Sequence, residues 1–60
     1  MTTVEILARL TDMQHEIETM RKAAEASRLP TAITMGLEWL REDTGKVIVD
    51  VDMALLKMGQ

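Results

Sequence analysis

The sequence predicts a mainly α protein: a long N-terminal helix and a shorter second helix folded back as an antiparallel hairpin, then a β-prone C-terminal tail. It also predicts an obligate oligomer. Three observations lead there. Apolar residues recur at heptad spacing through the first 27 positions, a single Leu29-Pro30 break separates them from a second helical pattern, and 60 residues without cysteine leave little material for a self-sufficient core. In a chain this short, burial and conformational entropy nearly cancel, and no disulfide is present to tip the balance. The whole chain, 1–60, reads as one small domain.

The first helix has the strongest pattern. Thr3, Ile6, Leu10, Met13, Ile17, Met20, Ala24 and Ser27 alternate steps of three and four, a seam of the coiled-coil kind. Thr2 followed three residues later by Glu5 is a capping box, and Glu5 with Arg9 and Glu18 with Lys22 stand at the favourable i,i+4 spacing. Pro30 drives Leu29 out of helical geometry, so the helix is expected over about 2–28, roughly 39 Å long.

The second helix is expected over about 31–43, with Ile33, Gly36, Leu37 and Leu40 on one face and Gly45 as its C-terminal stop. At roughly 20 Å it covers only the second half of helix one. The surface of Val4, Ile6, Leu7, Leu10 and Met13 is then bare and calls for a partner. In the tail, the β-branched run of Val47, Ile48, Val49 and Val51 favours a strand at about 46–51, although Val47, Val51, Ala54, Leu55 and Met58 also fit one helical face. A short helix at about 52–58 follows, capped by Asp52. A lone strand has to pair between molecules. The expected self-interface is therefore Val4, Ile6, Leu7, Leu10, Met13, Ile17, Val47, Val49 and Val51.

Composition narrows the chemistry. Hydrophobic residues make up 47%, with six Met and Trp39 as the only aromatic, which suits adaptable helix packing better than a sandwich or barrel. A net charge of −3 opposes a sequence-independent grip on phosphate backbones, so nucleic acid is disfavoured as a partner. No apolar run reaches membrane-spanning length and the first residues lack a signal peptide's pattern, so a cytoplasmic protein with no membrane association is expected.

Catalysis finds no constellation: one His, one Ser and no Cys cannot supply a nucleophile with its base and orienting partner. No enzyme activity, cofactor or metal is expected. Asp12, His15 and Glu18 follow at i+3 steps but on the solvent side of the heptad, where a solvated face explains them. Asp50 and Asp52 alternate along the expected strand, and capping or solvent exposure explains both. The acidic stripe of Glu5, Asp12, Glu18 and Glu25 could imitate a phosphate backbone, but Arg9, Arg21, Lys22 and Arg28 dilute its field.

Those basic residues, Arg9, Arg21, Lys22 and Arg28, are the candidates for an anionic small molecule held between subunits; ion pairing accounts for them equally well. Met35 and Trp39, four apart on helix two, are the candidate partner-binding pair, with closure of a core edge as the plainer role. The leading expectation is a non-enzymatic helical interaction protein that self-associates and binds, and in doing so inhibits, another protein. This format is shared by small regulators and phage or mobile-element products. The alternatives are an oligomer that sequesters a nucleotide-like anion and a small assembly or scaffold component.

Overall fold

A computed structural model describes residues 1–59. Two helices, α1 (Thr3–Ala26) and α2 (Thr31–Met58), form an antiparallel hairpin. Its extents are 48 × 15 × 13 Å, two helices side by side with nothing above or below them.

Helix α1 starts where the capping box predicts. The Glu5 amide donates to Thr2 Oγ1 at 3.1 Å, and the same hydroxyl donates to Glu5 Oε1 at 3.2 Å, so the Glu side chain is held by the cap hydroxyl itself. The helix ends two residues earlier than the expected Arg28. Arg28 adopts a left-handed conformation (φ 57°), and the Leu29 amide reaches back to Ala24 O at 3.0 Å while the Arg28 amide reaches Glu25 O at 3.1 Å. That is a Schellman ending with arginine in the place glycine usually takes. Pro30 then leads into α2, its carbonyl accepting from the Ile33 amide at 2.9 Å.

Helix α2 departs from expectation. It does not stop at Gly45 but runs unbroken for 28 residues, so the strand at 46–51 and the separate short helix at 52–58 are both its last turns. No strand occurs among the described residues, and the intermolecular strand pairing expected of Val47, Val49 and Val51 goes with it. Two physical reasons account for this. Gly45 has no positive φ and therefore does not make the left-handed turn of a helix stop. Instead it lets α1 come close: a Cβ there would lie 2.9 Å from Gln14 Nε2. Beyond it, Ile48, Val51 and Leu55 recur at helical spacing against α1, and that tertiary packing overrides the strand preference of β-branched residues.

The continuous α2, about 42 Å long, matches the about 36 Å of α1. The length mismatch predicted from the sequence is gone, and Leu7 and Leu10 are half-buried along α2 rather than bare. The seam is thin all the same: among the described residues only Ile17 and Ala24 of the hydrophobic ones are buried, with Thr44 beside them donating its hydroxyl to Leu40 O at 2.8 Å.

The two interior glycines of α2 separate conformational cost from packing. At Gly36 an added Cβ meets nothing within 4 Å, so Gly36→Ala gains the full helix preference of alanine, about 0.5–1 kcal/mol. Gly45→Ala gains the same propensity but displaces Gln14 and its long 3.4 Å bond to Arg41 O, returning about 0.5 kcal/mol or more. Urea unfolding midpoints should therefore rank Gly36→Ala above Gly45→Ala.

Candidate interaction face

The half-buried and buried residues fix which sides of the helices meet. On α1 they are Thr3, Leu7, Leu10, Gln14, Ile17, Arg21 and Ala24, with Glu18 at the edge; on α2, Thr34, Leu37, Arg41, Thr44, Ile48, Val51 and Leu55, with Gly45 at the edge. Both sets are heptad seams, but the α1 seam is rotated from the predicted one. Thr3, Leu10, Ile17 and Ala24 belong to both, while Leu7, Gln14 and Arg21 take the inner places expected of Ile6, Met13 and Met20.

The rotation comes from a polar layer in mid-hairpin. Gln14 Nε2 donates to the Arg41 carbonyl across the seam. Arg21 grips Glu18 with two hydrogen bonds, Nη2 to Oε1 at 2.7 Å and Nε to Oε2 at 3.0 Å, and its Nη1 reaches Glu25 at 3.0 Å. Arg41 Nε lies 3.1 Å from Glu18 Oε2, a charge contact without hydrogen-bond alignment for a nitrogen that is itself buried. Glu18 is thus engaged by Arg21 and Arg41 rather than by Lys22, the neighbour its spacing predicted.

Hydrogen bonds from Arg21 hold the Glu18 carboxyl below its ordinary range; partial burial works the other way, and the charges of Arg21, Arg41 and Lys22 add to the lowering. The same hydrogen bond to Glu18 keeps Arg21 more firmly protonated. A lowered carboxyl contributes stability that is present above its unfolded value of 4.5 and is lost as pH falls through the lower folded value. Glu18→Gln removes that contribution. The stability gap between wild type and Glu18→Gln, read from urea midpoints, should be open at about pH 6 and narrow steadily toward about pH 3.

Turning polar residues inward leaves apolar ones outside. Ile6, Met13 and Met20 stand a quarter turn from the seam on α1, all exposed. Ile33, Leu40, Val47 and Ala54 stand at the same offset on α2. On antiparallel helices equal offsets fall on the same side of the plane through both axes, so these residues form one two-helix apolar face. The opposite side carries Glu18, Glu25, Glu38 and Asp52, and the Glu18–Arg41 contact lies there. Val4 is on that opposite side. Of the other residues expected at a self-interface, Leu7, Leu10, Ile17 and Val51 lie in the seam, Ile6, Met13 and Val47 on the apolar face, and Val49 on the far side of α2. Met20, Ile33 and Leu40 complete the face and were missed as site residues because their helix mates were assigned to the wrong seam.

Met35 and Trp39 point away from α1, and Trp39, 59% exposed, does not close an edge of the hairpin seam, the plainer role expected for it. Since α2 continues, Val49, Met53 and Leu56 extend the same stripe at heptad spacing.

The basic candidates do not converge within the chain. Arg21 has its fork committed to Glu18 and Glu25, Arg9 lies about 18 Å away along α1, Lys22 is exposed, and Arg28 sits in the turn. A shallow cleft of about 390 Å³ beside the turn is lined by Arg21, Glu25, Leu29, Thr31, Thr34 and Glu38, two acids around an arginine already paired. Among the described residues no three His, Asp or Glu side chains gather at metal-binding distance. Asp50 and Asp52, no longer on a strand, face different sides of α2. No helix among the described residues is long and apolar enough to cross a membrane. Comparison with protein-family models, with curated proteins and with solved structures finds no match to this chain.

Proposed function

We propose that this protein is a non-catalytic helical interaction module: it pairs with a second copy through the Ile6, Met13, Met20, Ile33, Leu40 and Val47 face, and the resulting bundle acts by binding another protein. The observation that carries the reading is surface area. The hairpin exposes 4730 Å², against roughly 4,000 Å² for a compact chain of 6.8 kDa. A compact particle of twice that mass has roughly 6,600 Å², so two hairpins meeting to form one would bury on the order of 2,900 Å². Obligate homodimers bury about 2,000–5,000 Å². Face-to-face pairing of two hairpins makes a four-helix bundle, the ordinary way for amphipathic helices this thin to acquire a core. Arg9 and Glu16 border the face on α1, charges of both signs that complement each other across an antiparallel pair.

Sedimentation equilibrium tests this directly. At about 10 µM the mass should be at least that of a dimer, and the thermal midpoint should rise with protein concentration. Met13→Asp combined with Leu40→Asp touches only side chains already exposed in the single hairpin, so it should abolish association; Val4→Asp, on the opposite side, should leave the mass unchanged. A stable, folded monomer at that concentration would sink the proposal.

A further inference from the structure

Resting on that reading, we infer that the outer stripe of α2 (Met35, Trp39, Val49, Met53 and Leu56) is the docking site for a foreign helix that is amphipathic and basic. The stripe runs along α2 as two apolar patches, Met35 with Trp39 and Val49 with Met53 and Leu56, separated by Glu42 and Lys46; it faces away from α1 and away from the two-helix apolar face, and so remains open when that face is covered. Its length and heptad spacing fit one partner helix laid along it, as in a coiled-coil pair. Two of its five members are Met and one is Trp, residues that supply adaptable and anchoring contact.

Charge selects the occupant. The positions bordering the stripe are Glu38 and Asp52 on one margin and Asp43 and Asp50 on the other, with Lys57 as the lone cation at the C-terminal end. Within the stripe, Glu42 and Lys46 stand at i,i+4 and offset each other. A second copy of this chain would bring four more margin acids against these four, whereas a helix with Lys or Arg at its borders finds a complement at every one. The same acids repel anionic lipid headgroups. Asp43 and Asp50 also border Leu40 and Val47 on the two-helix face, so it is Glu38 and Asp52, on the margin that the outer stripe does not share with that face, that make its border acidic on both sides.

Trp39 is the only aromatic residue, so its emission reports this stripe alone. Two tryptophan-free synthetic helical peptides with the same Leu/Ile face, one bordered by Lys and Arg and the other by Glu, are titrated into the intact protein at constant assembly mass. The basic peptide should shift Trp39 emission to the blue with micromolar affinity and bind at least tenfold more tightly than the acidic one. That preference should shrink at about 0.5 M salt. Met53→Asp with Leu56→Asp should abolish the response without changing the assembly mass. Neutralising the margin with Glu38→Gln, Asp43→Asn, Asp50→Asn and Asp52→Asn should erase the tenfold preference while leaving the apolar stripe in place.

Equal affinity for the two peptides overturns the inference. So does a blue Trp39 emission that reddens on dilution, or a change of mass in Met53→Asp with Leu56→Asp, because either assigns the stripe to a second copy. A blue shift with phosphatidylcholine and phosphatidylglycerol vesicles but with neither peptide overturns it in favour of a membrane. Failure of self-association is seen separately, as a monomer mass before any peptide is added.

Discussion

The polar layer in mid-hairpin, where the Gln14 side chain lies over Gly45 and Arg41 meets Glu18, is the constraint around which the two helices are arranged. Without a Cβ at Gly45, Gln14 lies against α2 and reaches the Arg41 carbonyl. This sets the register of the two helices and the side of α1 that α2 covers. It places Arg41 beside Glu18 and, one turn on, puts Thr44 into the seam with Ile17. The rotation that brings Leu7, Gln14 and Arg21 inward is the same rotation that turns Ile6, Met13 and Met20 out. The open apolar face is thus a consequence of how the seam closes and not a separate feature.

The seam is unusual in what it buries. Its middle is polar, with Gln14, Arg21, Arg41 and Thr44, while larger apolar side chains such as Met13, Met20, Trp39 and Leu40 stay outside. Paired charges at partly exposed positions add little to stability, since the gain in attraction is offset by desolvation and by ordering long side chains. What such a layer does supply is register: the Gln14 bond to the Arg41 carbonyl and the Glu18–Arg41 contact cross the seam and depend on how the helices align, whereas Glu18–Arg21 lies within α1. The hairpin seam therefore specifies the pairing of α1 with α2, while most of the chain's large apolar side chains stay outside it.

The helical parts of this architecture were legible where local chemistry and periodicity agreed. Thr2 with Glu5 marked the start of α1, Leu29-Pro30 marked the turn, and the three-and-four spacing marked α1 as a packed helix. At Gly45 the same rules misled, because a glycine that ends a helix and a glycine that lets another helix approach are alike in sequence; the difference lies in Gln14, 31 residues away. The Val47–Val51 segment was misread for a related reason. Its β-branched composition carries a strand preference of at most about 1 kcal/mol per residue. Ile48, Val51 and Leu55 packed along α1 outweigh it, and that packing exists only because α1 is long enough to meet them. The site was half legible: Met35 and Trp39 were visible as a pair, but their continuation to Val49, Met53 and Leu56 depended on recognising α2 as one helix.

Continuity of α2 also explains why a chain this small can carry two apolar surfaces. A helix broken at Gly45 would have one buried face and two short ends. An unbroken helix of seven to eight turns has four longitudinal strips, and here each has its own composition. One faces α1 and is mixed. One, with Ile33, Leu40 and Val47, joins α1's Ile6, Met13 and Met20 into a surface two helices wide. The outermost, with Met35, Trp39 and Met53, has no α1 residues beside it and is only one helix wide. The remaining strip is acidic and solvated. The widths of the two apolar surfaces follow from helix geometry alone, and in the proposed reading that width is what separates the surface that meets a second hairpin from the one that meets a single foreign helix.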